Sequence, residues 1–368
     1  MLLGAIIRAL FLFSEIPNRQ AIIVHPFFDL AYCLGGPVCR GELRQQLEDF
    51  RVIELLDLPL DGQGEHLWVR ASKKGLTTPQ LADELARWAS VRPVSVGYSG
   101  LKDKFAETEQ WFSLSLPGRE DPSAPTAADD KGWQILEQSR HGKKLRRGLH
   151  AANRFEIRVR NIDGEPEQIE KRLQQLRQIG CPNYFGEQRF GRHGDNVDQA
   201  LEMFAGNKRV KNRQLRGLLV SAARSHLFNQ VLSERVTAGN WRTASDGEAL
   251  MLAGSRSFFV AEQIDATVQQ RLDSGDVLLS GPLWGKTNTP ALGLSGDLEQ
   301  AVAQQFPELV NGLAGAGLRQ ERRQFRLEMS DLKWRWLDRD LVVDFSLPSG
   351  SFATAVLREF VDWRQAVI

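Results

Sequence analysis

VGYSGLKDKFAETEQWFSL, residues Val96 to Leu114, sets a Lys-Asp-Lys triplet among apolar and aromatic residues and is the densest of the segments that could carry chemistry. Val96 to Tyr98 reads as a short strand, Ser99 to Lys104 as a glycine-bearing loop, and Thr108 to Leu116 as a second strand. Asp103 stands at the loop tip between Lys102 and Lys104. Two adjacent ammonium groups favour an ionised carboxylate and also suit a phosphate backbone. The same letters describe a solvated turn whose charges compensate one another. Trp111 and Phe112 read as core residues of the strand, while Tyr98 and Phe105 are either core or cleft residues.

On the N-terminal side, Phe50 to Leu56 alternates as a strand, Asp61-Gly62 turns, and His66 to Ser72 alternates again. Thr78-Pro79 predicts an N-cap followed by proline at the first position of a helix carrying Leu81, Leu85 and Trp88 and ending near Ser90. On the other side, Pro117 to Asp130 is a surface loop, and Trp133 to Ser139 and Phe155 to Val159 are strands. Pro166 to Ile179 is a helix with Ile169, Leu173 and Leu176 on one face. After Gly180 comes a glycine- and aromatic-rich loop, then a long helical pattern from Leu215 to Val236. Alternation returns at Phe325 to Trp336 and Leu341 to Leu347. β-rich ends around a helix-richer middle predict an α+β protein in which one domain is inserted into another. A length of 368 residues fits two domains.

With 47 basic and 46 acidic residues, net charge gives no global attraction to a polyanion, so any such site must come from local segregation. Segregation occurs in HGKKLRR (His141 to Arg147) and KRVKNRQLR (Lys208 to Arg216), with acids gathered at Asp121 to Asp130. Cys33, Cys39 and Cys181 form neither a disulfide framework nor a zinc spacing, and the histidines are unpaired; the expectation is a reduced, cytoplasmic, metal-free protein. Met1 to Phe13 is apolar but contains Arg8, is too short to span a bilayer, and reads as an extension.

Four further segments carry candidate chemistry. HGKKLRRGLHAANRFEIRVR (His141 to Arg160) interleaves Lys143, Lys144, Arg146, Arg147, Arg154, Arg158 and Arg160 with apolar residues, a pattern for an RNA surface or for a solvated strand pair. PNYFGEQRFGRHGDN (Pro182 to Asn196) concentrates aromatics and arginines among glycines, as a recognition loop or a hinge would. Within it His193 has only its residue type to suggest a general base, and Glu187 reads as a partner for an arginine. LPSGSFATA (Leu347 to Ala355) puts Phe352 just after a turn, reaching into a cleft or plugging a core. Glu48-Asp49-Phe50, with Arg44 ahead, enters the first strand. These residues leave open an RNA-directed carboxylate enzyme, an RNA-binding module and a carbohydrate-acting enzyme. The last needs a second carboxylate about 5–10 Å from the first, and the motifs offer none.

EDFRVIE (Glu48 to Glu54), GEHLWVR (Gly64 to Arg70), GYSGLKDKFAETEQWFSL (Gly97 to Leu114), HGKKLRRG (His141 to Gly148) and NRF (Asn153 to Phe155) recur in order. PNYFGEQRFGRHGDN, SAARSHLFNQ (Ser221 to Gln230) and LPSGSFATAVLRE (Leu347 to Glu359) follow. In these motifs the chain resembles the TruD family of tRNA pseudouridine synthases from Gly41 onward. The resemblance implies a mixed, mainly antiparallel pseudouridine-synthase sheet with flanking helices, built from residues 41–179 and 328–368. It also implies an inserted α/β domain at 180–327, after an atypical or poorly ordered extension at 1–40. It implies Asp103 as catalytic residue, Phe50, Asn153 and Phe352 as substrate contacts, and Phe155 as the ring stacking on the target base. Arg44 would be the carboxylate's basic partner, and Lys102, Lys104, Lys143, Lys144, Arg146 and Arg147 would hold phosphates. The implied substrate is a tRNA uridine, at position 13 in the family, with no cofactor, metal, membrane or protein partner and a monomeric enzyme. Ala152 replaces the family's usual glycine before the Asn of NRF, so a local change of turn is expected there.

Overall fold

The structure, a computed structural model, describes residues 27–123, 132–191 and 193–363. The apolar segment Met1 to Phe13, most of the acidic loop and Arg192 lie outside the described residues. Among those described, no helix is long and apolar enough to cross a membrane.

The larger layer is a ten-stranded sheet. Its strands are β1 (Cys39–Glu42), β2 (Phe50–Leu55), β3 (His66–Lys74), β4 (Val96–Tyr98), β5 (Glu107–Ser115), β6 (Trp133–His141) and β7 (Ala152–Asp163). After an intervening region come the remaining three, β14 (Ser330–Leu337), β15 (Asp340–Pro348) and β16 (Val361–Asp362). The central order is β14-β15-β7-β2-β5-β3-β6. Pairing is antiparallel except between β2 and β5 and between β1 and β16. The α+β expectation holds.

β7 shows how alternation positions the site. Asn153, Phe155, Ile157 and Val159 are buried on one face. Arg154, Arg158 and Arg160 project from the other, as a period of two requires. Ala152 pairs in register with Leu55 and Pro348, so the strand simply begins there. The helix Pro166–Ile179 covers the β7–β15 region with Ile169, Leu173 and Leu176, all fully buried. Each such side chain contributes about 1.5–3 kcal/mol of apolar burial. Gly180 ends it at φ +72°, a conformation glycine adopts without strain. The helix Thr78–Trp88 covers β3, β4 and β5 with Leu81 and Leu85. Its N-cap is Thr77, in a capping box with Gln80, rather than Thr78. Thr78 is buried and bonds Gln110 instead.

Between β7 and β14 lie β8 (Cys181–Pro182), β9 (Glu248–Leu252), β10 (Phe258–Ala261), β11 (Val277–Leu283), β12 (Glu321–Gln324) and β13 (Arg326–Leu327). An antiparallel four-stranded sheet, ordered β10-β9-β11-β12, packs on the 25-residue helix Arg213–Thr237. The strand expected at Phe325 to Trp336 is two, β13 and β14. β12, which ends just ahead of it at Gln324, belongs to the smaller sheet, Phe325 is buried in the smaller core, and β13 pairs with β8 on the way back. Residues 27–40 are not a loose extension. Phe27 and Leu30 are buried in the smaller core, Arg358 donates to the carbonyls of Leu30 and Ala31, and Cys39 begins β1.

Candidate active site

A cleft of about 350 Å³ opens where the ends of β2 and β7, the Ser99–Asp103 loop, the Gln188-Arg189 turn and the Ser349–Thr354 turn converge. Its lining includes Phe50, Phe155, Asn153, Phe352, Lys102 and Asp103. Six of the residues singled out from the sequence are thus brought together from segments up to 302 positions apart, counted from Phe50 to Phe352.

Asp103 is held by neighbours on three elements. Arg44 Nη2 lies 3.1 Å from Oδ2, Gln188 Nε2 donates to Oδ2 at 3.1 Å, and the Phe105 amide donates to Oδ1 at 3.0 Å. Arg44 and Asp103 thus form an ion pair. Arg44 has φ +60°, a left-handed backbone that costs an ordinary residue about 1 kcal/mol. Its guanidinium lies 4.4 Å above the Phe50 ring. Beneath the turn, the fully buried Lys73 donates to the Asp103 carbonyl at 2.7 Å. Burial pushes the Lys73 ammonium down to about 8; Asp103 opposes that shift and Lys102 adds to it.

The floor is a buried polar layer. Lys102 does not face outward. Its side chain is 6% exposed, with Nζ 2.9 Å from Glu54 Oε2 and 2.7 Å from Asn153 Oδ1. A phosphate role for Lys102 is corrected by this, because the ammonium is already satisfied inside. The bond also fixes the Asn153 amide, its oxygen on Lys102 and its NH2 turned the other way, 3.4 Å from His150 Nε2. His150 sits between two hydroxyls, Ser99 at 2.5 Å from Nδ1 and Ser349 at 2.9 Å from Nε2. Burial lowers its pKa and Lys102 lowers it further, against Glu54, which favours the neutral ring. Phe155 stacks on Phe345 at 5.7 Å and meets Phe50 edge-on at 6.3 Å.

Across the cleft, Arg189 lies 5.5 Å from the Phe352 ring and 5.3 Å from Phe185, and donates to Ser221 at 2.7 Å. Arg323 lies 4.1 Å from the Phe185 ring and donates to Asn183 and to the Gly350 carbonyl. Gly186 lets this loop approach: a Cβ there would collide with Thr354 Oγ1 and crowd Phe352. Burial raises the Glu187 pKa, Arg44 pulls it back and Asp103 adds to the rise, so Glu187 belongs to the Arg44 environment. His193 is exposed and does not line the cleft.

The basic strand pair divides in two. Arg154 pairs with Asp344, Arg158 with Asp340 and Arg160 with Asp49, leaving little free charge on that face of β7. In the loop, Lys143, Arg146 and Arg147 are exposed, Lys144 Nζ donates to the Val94 carbonyl, and Arg147 lies 6.0 Å from Tyr98. Lys104 is exposed outside the lining. Glu54, Lys73 and His150 were not identified from the sequence, and Arg189 only as one of the arginines of the Pro182 to Asn196 loop. The signal at Glu54 and Lys73 was a charge at an inward position of an alternating strand.

The family model described as tRNA pseudouridine synthase D (TruD) matches residues 29–198 and 193–360. A tRNA pseudouridine synthase D of Nitrosococcus oceani is 47% identical over 341 residues, covering 92% of this chain and 95% of that one. Its counterpart in Ectopseudomonas mendocina is 46% identical, covering 89% and 95%. The crystal structure named for a tRNA pseudouridine synthase D of Methanosarcina mazei superposes with a TM-score of 0.68 at 21% identity. It covers 93% of this chain and 98% of that one, a likeness of fold. On the extent of the family match and the identity to these relatives, the chain belongs to the TruD family of tRNA pseudouridine synthases.

Proposed function

We propose that this protein isomerises a uridine of tRNA, the one at position 13, to pseudouridine, with Asp103 as the catalytic carboxylate and no cofactor. The observation that carries the reading is the restraint of the Asp103 carboxylate by Arg44, Gln188 and the Phe105 amide, beside a cleft edged with rings. A carboxylate preorganised in this way loses little entropy on reaching a reacting atom.

In the reaction the N1–C1′ bond breaks, the uracil turns, and a C5–C1′ bond forms. C5 gives up a proton and N1 gains one, so atoms and electrons balance without a redox partner. The nucleotide must leave its stack, at a cost of a few kcal/mol. Rings offset this at about 1–3 kcal/mol per stacked base, with Phe155, Phe352 and Phe50 the candidates at the cleft. Ionised Asp103 acts at the ribose, as nucleophile at C1′ or as base toward C2′. The Asn153 NH2, oriented by Lys102, suits a uracil carbonyl. Lys143, Lys144, Arg146 and Arg147 take the phosphates beyond the cleft. We read residues 41–179 and 328–368 as the catalytic domain and 180–327 as the inserted one. We read the enzyme as a cytoplasmic monomer.

Asp103→Asn tests this. Tritium release from 5-tritiated uridine in tRNA should fall at least 1,000-fold, on the order of losing a nucleophile or base, while tRNA retention and the unfolding midpoint stay near wild type. Wild-type-like release would remove Asp103 from its role. Retention without release by the unmutated protein would identify a silent RNA-binding protein instead.

A further inference from the structure

Two of the ten large apolar side chains exposed among the described residues, Leu101 at 55% and Phe105 at 63%, lie within two positions of Asp103. Phe105 is the only exposed aromatic among the described residues. A phenylalanine in that position forgoes the burial that the other described rings obtain. The turn that presents it is rigid. The Phe105 amide holds Asp103 Oδ1, Lys73 holds the Asp103 carbonyl, and the Lys102 amide donates to Thr78 Oγ1 at 2.9 Å. The bond that directs the carboxylate inward therefore also fixes the backbone from which the ring projects outward. Leu101 lines the cleft rim, Phe105 lies outside it, and Lys104 Nζ is 5.9 Å from the Phe105 ring.

We propose that the outer face of the Gly100–Phe105 turn is a docking surface for the unpaired bases that flank the extruded uridine, with Phe105 as stacking platform and Leu101 as the wedge at the rim. The occupant is RNA rather than protein on three grounds. The surface is continuous with the cleft; a ring beside an ammonium matches a base beside its phosphate; and the relatives are named for action on tRNA. Because the turn is already rigid, docking orders few groups and most of the stacking energy appears as affinity. The inference rests on the reading of Asp103 as the residue that meets the target nucleotide. It adds that the same turn selects single-stranded neighbours, so the enzyme discriminates by the looseness of the RNA around its target.

The test uses the full chain and an unmodified tRNA transcript, with 2-aminopurine placed on either side of the modified uridine. Dissociation constants and aminopurine quenching are measured in the Asp103→Asn background and turnover in the active one. Phe105→Ala and Phe105→Leu should each weaken binding about 5- to 100-fold, the affinity equivalent of losing one stacked base, and abolish the quenching. Phe105→Trp should restore both, and in the active background the loss in Phe105→Ala should appear in KM. Leu101→Ala should reduce the quenching on one side only. Wild-type affinity in Phe105→Leu would overturn the proposal, because an aliphatic side chain offers no stacking face. So would a fall in kcat with unchanged KM in Phe105→Ala, which would make the ring a support for Asp103. Turnover by Asp103→Asn would sink the reading of the site while leaving the affinity series to decide the docking surface by itself.

Discussion

The two walls of the cleft treat charge in opposite ways. On the sheet side every charge has a counter-charge or a carbonyl: Glu54 with Lys102, Asp103 with Arg44, and Lys73 on the Asp103 backbone. On the opposite side Arg189 and Arg323 are held by Ser221, Asn183 and the Gly350 carbonyl and lie against the rings of Phe185 and Phe352. Neither forms an ion pair among the described residues. Burial lowers the pKa of both guanidiniums, and their mutual proximity lowers that of Arg323 further. A compensated wall is rigid and suits orientation of an uncharged base. A wall with uncompensated cations is costly until an anion arrives, and suits a phosphate.

The comparison breaks most visibly at Glu54. Glu54→Leu should cost about 3–5 kcal/mol in chemical denaturation by stranding the Lys102 ammonium, whereas Glu54→Leu with Lys102→Met should recover most of that loss. The double variant should still turn over poorly, because Asn153 loses its orienting donor. A single-variant loss below about 1 kcal/mol would mean the pair is not desolvated.

Lys73 gives a pH signature of about 3 kcal/mol at most. Its ammonium sheds its proton near pH 8 in the folded protein, against 10.5 for an ordinary lysine. Between those values the unfolded chain binds more protons, so stability relative to Lys73→Met should rise with pH; the gain is complete above 10.5 and lost as pH falls through 8. Denaturation of both proteins from pH 7 to 10 measures the slope, and a constant difference would show that the ammonium is well solvated.

The smallest effect concerns the opposite wall. Arg189→Leu should weaken tRNA binding about tenfold and reduce the slope of log affinity against log salt by about one. Arg154→Leu, on the face neutralised by Asp344, should leave that slope alone. Equal effects of the two would erase the distinction between the walls.

Local features of the chain were legible in the letters. The helix Pro166–Ile179 was read with its observed bounds because proline, a 3.6-residue period and a terminal glycine all act within a few residues. The strands flanking Asp103 came within a residue or two for the same reason. Non-local pairing was not legible. Glu54 is 48 positions from Lys102 and Asp344 is 190 from Arg154, so buried lysine and neutralised arginine both read as free cations. Between β7 and β14, the helices Asn196–Phe204, Ala266–Asp273, Gly293–Gln305 and Pro307–Gly315 were missed, and each carries at most two buried apolar side chains to mark a face. Phe105, read as either core or cleft, is neither, since exposure of a single ring leaves no trace in periodicity.

The antiparallel register of β7 against β2 and β15 ties Asn153 to Glu54 and Leu347, and Phe155 to Val52 and Phe345. Strand faces alternate residue by residue, so a one-residue slip of β7 against its neighbours would turn Asn153 and Phe155 out of the cleft and bring Arg154 in. Such a protein could keep its hydrogen-bonded ladder and its solubility yet hold no recognisable pocket. Small insertions and deletions in this strand should therefore behave as all-or-none lesions, unlike point substitutions in the same stretch, whose effects are graded.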